Sequence, residues 1–193
     1  MAPYPLQSGS QAAFTSVQPF SLTSVGEVAP PAWEPWILSR FLARTRYQIV
    51  DHEGERVLEA DANVSASGLL QPLTLTPSEY PYLHWRWKVP KLIPGADNAS
   101  RTGDDSPVRV IVAFDGDKSK FDFEDSALAH TVKLFSGREM PYATIQYIWE
   151  NKDFERLFGE LPGPIIFVGV MTDSNATEAH TNAYYGDIRF SRE

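Results

Sequence analysis

Short runs of alternating or β-branched residues recur along most of this chain, each closed by Gly, Pro, Asn or Asp. Such runs read as strands. Thr45–Asp51 and Arg56–Ser65 flank Glu53-Gly54-Glu55, a hairpin signal. Tyr82–Val89 alternates as one strand. Ser106–Phe114 is a β-branched run stopped by the turn Asp115-Gly116-Asp117. Ala143–Trp149, Ile165–Met171 and Ala183–Phe190 complete the set, and Ser65-Ala66-Ser67-Gly68 reads as a loop. Two short helices are predicted. One lies over Ser126–Phe135 and stops at Gly137; the other lies over Lys152–Phe158, capped by Asn151 and stopped by Gly159. Residues 1–19 show no periodicity and read as an extended arm, so the domain spans residues 20–193. Pro30-Pro31-Ala32-Trp33-Glu34-Pro35-Trp36 forms a stiff lead into it, its indoles plugging the edge of the core. The pattern predicts an all-β protein, a two-sheet jelly-roll-like sandwich with one or two short helices.

Composition narrows the function classes. With 193 residues, 42% of them hydrophobic and 12% aromatic, the chain can bury one sizeable core. Pro (15) and Gly (12), spread along its length, suit a loop-rich β fold. The 17 basic and 25 acidic residues give a formal charge of −8, which argues against nucleic acid or anionic lipid as the main partner. The absence of cysteine excludes disulfides, thiolate metal sites and a Cys nucleophile. No apolar run is long enough for a transmembrane helix.

Candidate chemistry centres on Trp85-Arg86-Trp87-Lys88. Successive strand side chains point to opposite faces. Leu83, Trp85 and Trp87 therefore share one face, turned to the core, and His84, Arg86 and Lys88 share the other. On a concave sheet that row is a binding strip; on a convex one it is a solubilising face. Arg109 sits among apolar neighbours, a position that calls for a carboxylate partner, such as Asp104 or Asp105, or for a ligand. Gln146 adds an amide at mid-strand. His84, Arg86, Lys88, Arg109 and Gln146 on one sheet face would suit carboxylates and sugar hydroxyls. Asp115, Asp117 and Asp187 offer hard oxygen ligands for a structural calcium, although ordinary turn chemistry also explains acidic turns. The chain contains no nucleophile elbow, His-Glu-x-x-His, phosphate loop or dinucleotide fingerprint, so no catalytic residue is assigned.

Nine short stretches occur in a recognisable order. They are Val64–Leu69, Trp85–Val89, Gly95–Asn98, Asp104–Pro107, Phe114–Asp117, Gly137–Glu139, Pro141–Thr144, Met171–Asp173 and Tyr185–Ile188. Together they resemble the bacterial DUF3047 family over about residues 20–190. The resemblance implies no activity. It does imply a periplasmic or exported protein, although Met1-Ala2-Pro3-Tyr4-Pro5 lacks the basic and apolar regions of a secretory signal. After Tyr147-Ile148-Trp149 the family pattern has a longer segment, and only Glu150–Leu157 fills that interval here. One or two strands are therefore expected to be missing, which would bare a sheet edge open to strand addition. The closing Tyr184–Phe190 stretch also resembles the last strand of jelly-roll carbohydrate-binding modules, where an acidic residue often ligates structural calcium.

These readings favour a non-catalytic module that binds a glycan, acidic glycans included, or a protein partner. An accessory subunit docking through its arm and bare edge, and a polysaccharide lyase or hydrolase, are the alternatives.

Overall fold

A computed structural model of the protein describes residues 14–97, 100, 103–120, 141–147 and 162–192. Both predicted helices, Ser126–Phe135 and Lys152–Phe158, lie outside the described residues, as do residues 1–13 and the shortened interval Glu150–Leu157.

Eleven strands form among the described residues: β1 (Glu34–Trp36), β2 (Arg46–His52), β3 (Glu55–Asn63), β4 (Ala66–Leu75), β5 (Tyr82–His84), β6 (Trp87–Lys88), β7 (Arg109–Phe114), β8 (Ala143–Tyr147), β9 (Ile165–Asp173), β10 (His180–Tyr185) and β11 (Arg189–Ser191). A five-stranded sheet runs β1-β4-β9-β7-β8 and a four-stranded sheet runs β2-β3-β10-β6; β11 and β5 pair as a separate ribbon. The strand pairs are antiparallel. One apolar cluster joins the two larger sheets. It draws Tyr47 and Ile49 from β2, Leu58 and Ala60 from β3, Leu69 from β4, Val110 and Val112 from β7, Val168 from β9 and Tyr185 from β10. This is the expected all-β sandwich.

Local sequence accounts for most elements. Central β7, Arg109-Val-Ile-Val-Ala-Phe, is buried at every position, and its β-branched residues suit a strand covered on both faces. β10 alternates, turning Thr181, Ala183 and Tyr185 inward. The β2–β3 connection is a two-residue loop with both residues at positive φ, Glu53 at 57° and Gly54 at 83°, as a turn matched to strand twist requires. The Asp51 carboxylate accepts the Gly54 amide at 3.1 Å.

Three expectations change. Ser65-Ala66-Ser67-Gly68 is not a loop: from Ala66 it opens the ten-residue strand β4, Ala66–Leu75. Its Gly68 is required because a Cβ there would lie 2.9 Å from the Trp36 ring and 2.6 Å from the Val170 carbonyl oxygen. Its Pro72 borders a register shift towards Leu75, where a proline is tolerated. Tyr82–Val89 and Ala183–Phe190 are each broken in two. β6 and β10 pair Trp87 with Tyr185, whereas β5 and β11 pair His84 with Arg189. Between those pairs, two residues (Trp85, Arg86) face three (Gly186, Asp187, Ile188). That one-residue excess is a β-bulge, which bends a ribbon and re-aims its side chains.

Residues 14–19, read from sequence as part of the arm, are fastened to the body. Phe14 bridges to Leu73, and the fully buried Gln71 donates to the Ser16 carbonyl and accepts the Gln18 amide, both at 2.8 Å. The following turn, Phe20–Leu22, is locked by Asp187, whose two carboxylate oxygens accept the Ser21 amide at 2.9 Å and the Ser21 hydroxyl at 2.6 Å.

Candidate functional site

The bulge and the β2–β3 turn meet at a half-open cleft of about 330 Å³. His52, Glu53, Glu55 and Val57 supply one side; Arg86, Trp87, Lys88, Tyr184 and Gly186 supply the other. Arg86 donates to Glu55 Oε2 at 2.6 Å, and Lys88 Nζ donates to Glu53 Oε1 at 2.5 Å. All four side chains are about half exposed or more. Pairs of this kind contribute only about 0–1 kcal/mol to stability, so a ligand can take their place at little cost to the fold.

Each group is held by an identifiable feature. The Arg86 side chain lies across Gly186, where a Cβ would sit 2.4 Å from Arg86 Cγ. The Gly186 amide donates to the Arg86 carbonyl at 2.9 Å. Glu53 is projected by its positive-φ turn position. The His52 ring stacks on Tyr184, with centroids 4.0 Å apart and planes at 15°. Its Nε2 is enclosed, with no hydrogen-bond partner among the described residues, 3.9 Å from Glu53 Oε1. The hydrogen bond from Lys88, and then its charge, hold the Glu53 carboxyl below the ordinary range. Desolvation, followed by the nearby Glu59 charge, pushes the Tyr184 phenol upward.

The structure brings together two of the five expected ligand-binding residues, Arg86 and Lys88. The alternation of the Trp85–Lys88 stretch holds: Leu83, Trp85 and Trp87 pack against the core while Arg86 and Lys88 point out. His84 is separated from them by the bulge and lies on β5, with its Nε2 2.7 Å from Ser191 Oγ. Arg109 is not at a ligand surface. Its side chain is 7% exposed and pairs with Asp173 at 3.0 Å and Asp104 at 2.9 Å. A guanidinium at the head of a buried strand needs internal carboxylates, and it has them. Gln146 belongs to β8 of the five-stranded sheet, away from the cleft's sheet, and its side chain lies outside the described residues.

The expected calcium ligands do not converge. Asp187 is engaged with Ser21, Asp115 lies 3.6 Å from Lys118 Nζ, and Asp117 accepts from Ser119 at 2.6 Å. Among the described residues, no three His, Asp or Glu side chains group as a metal site.

His52, Glu53, Glu55 and Tyr184 were missed. The acidic turn was read only as a hairpin signal, although its two glutamates are the charge complement of Arg86 and Lys88. Tyr184 carries a visible signal: it precedes Gly186 by two, on the outward phase of an alternating strand.

The fold and site define an antiparallel β-sandwich with an aromatic-walled, mixed-charge cleft at its closing strand. The sequence matches the family described as "Protein of unknown function (DUF3047)" over residues 31–153 and 151–189, and the chain belongs to that family. The two matched stretches meet within Glu150–Leu157, the interval expected to be shortened. No curated protein matches the chain. No helix among the described residues is long and apolar enough to cross a membrane.

Proposed function

We propose that the protein is a non-catalytic binding module whose cleft between the β2–β3 turn and β6 takes a glycan. The observation that carries this reading is the pairing of Arg86 with Glu55 and of Lys88 with Glu53 beside Trp87 and Tyr184. A sugar hydroxyl both donates and accepts, so a cation–carboxylate pair offers it both partners at once. Aromatic walls give the apolar face of a sugar ring a surface to cover. The jelly-roll carbohydrate-binding likeness of the closing strand points the same way.

Binding to a panel of neutral and uronate-containing oligosaccharides, measured by calorimetry, tests the reading. Arg86→Ala should weaken binding about ten-fold or more, the loss of one charge-assisted hydrogen bond of about 1.5–3 kcal/mol. No binding by the intact protein to any member of the panel would overturn the proposal.

A further inference from the structure

Glu53 Oε1 stands between two bases. Lys88 Nζ donates to it at 2.5 Å, and His52 Nε2 lies 3.9 Å away, enclosed and without a hydrogen-bond partner among the described residues. A buried nitrogen left unpaired is costly and uncommon. The groups facing His52 come from four places: Glu53 in its own turn, Glu55 opposite it on β3, Tyr184 from β10, and Arg86 and Lys88 across the cleft. With His52 neutral, two carboxylates and two cations cancel. With His52 protonated, the cleft carries one net positive charge.

We propose that the cleft selects carboxylate-bearing sugars and holds them more tightly in mild acid. The imidazolium of His52 takes over Glu53, and Lys88 is released to the ligand's carboxylate. The proposal rests on the glycan reading above and names its ligand class and its regulation. Three observations support it. An imidazole changes charge between about pH 5 and 8. The Tyr184 ring stacked on His52 is a face on which a cation is favourable. The Glu53 carboxyl, held low by Lys88, stays ionised in that range, as does a sugar carboxyl, which ordinarily titrates near about 4. A neutral sugar brings no counter-charge to a released ammonium.

The test uses the full chain with two probes, trigalacturonate and the neutral maltotriose, at about pH 7.5 and about pH 5. One added charge at about 4 Å in water changes affinity roughly five-fold. Trigalacturonate should therefore bind about five-fold more tightly at the lower pH, with maltotriose unchanged. His52→Gln should abolish that gain, read as the ratio of the variant's own affinities at the two pH values. An unaltered gain in His52→Gln, or an equal gain for maltotriose, overturns the inference and leaves the glycan reading standing. Binding of neither probe at either pH overturns the inference, and silence across the wider panel removes the glycan reading too. A readout without ligand guards against a poorly folded variant. The NMR titration midpoint of the His52 ring should fall in Glu53→Gln, and an unmoved midpoint refutes the coupling.

Discussion

Replacing Arg109 by Met exposes how much the buried ion pair matters. The guanidinium is 7% exposed and Asp173 is 5% exposed. Once Arg109 is gone, the Asp173 carboxylate keeps the Ser106 amide at 3.1 Å as a hydrogen-bond donor but has lost its counter-charge. Removing one partner of such a pair costs about 3–5 kcal/mol, a large share of the roughly 5–15 kcal/mol that holds a domain together. At about 2–4 °C per kcal/mol for this size, the melting temperature should drop by about 6–20 °C. The loss should also depend on pH. Desolvation already raises the Asp173 carboxyl above its ordinary value, opposed by the hydrogen bond and charge of Arg109. In Arg109→Met those opposing effects vanish and the group rises further. A folded-state carboxyl raised in this way keeps its proton where the unfolded chain has released it. Stability therefore increases as pH falls through the window between about pH 4 and the raised value, by about 1.4 kcal/mol per unit. Urea unfolding at about pH 7.5 and about pH 5 measures both effects. The double variant Arg109→Met/Asp173→Leu should return to within about 1–2 kcal/mol of the parent. A single-variant loss under about 1 kcal/mol, or one equal at both pH values, would refute the reasoning.

Other outcomes follow from single positions. Val64→Gly should stabilise by about 1 kcal/mol, since a β-branched residue at φ 47° is strained; an unchanged urea midpoint contradicts this. Glu53→Asn should likewise raise the midpoint by about 0.5–1 kcal/mol by easing the positive-φ turn, while leaving Lys88 without its partner in the cleft. Tyr185→Phe should cost about 2–3 kcal/mol, because its buried hydroxyl donates to the Met171 carbonyl at 2.7 Å and accepts the Arg109 amide at 3.2 Å. Gly186→Ala should push Arg86 aside and weaken glycan binding with the β content by circular dichroism intact; full-strength binding would show that Arg86's path over Gly186 is immaterial.

What the sequence disclosed depended on range. Alternation marked β2 and β3 because burial there follows the backbone's own two-residue period, and a β-branched run marked β7, which is buried on both faces. It missed β4 because Gly68 and Pro72 are dictated by Trp36 and by a bulge, which are contacts made across the sheet. It ran β5 into β6, and β10 into β11, because the alternating pattern of a single strand gives no sign that its partner carries one residue more. The cationic half of the cleft was visible in Arg86 and Lys88. Its acidic half was hidden in a turn whose local role explained the glutamates fully. Arg109 was open between two readings; the expected partner Asp104 is there, and Asp173, 64 residues away and invisible to local sequence, completes the pairing.

The cleft joins residues 52–57, 86–88 and 184–186, and the bulge beside it clasps Ser21 through Asp187, 166 positions apart. Contacts of such sequence separation form late and slowly in folding. Ligand recognition is thus a property of the finished molecule: a nascent chain released before β10 emerges carries Arg86 and Lys88 but lacks the strand that seats β6 in the sheet. For the same reason, capture on an immobilised ligand would sort completed chains from truncated ones.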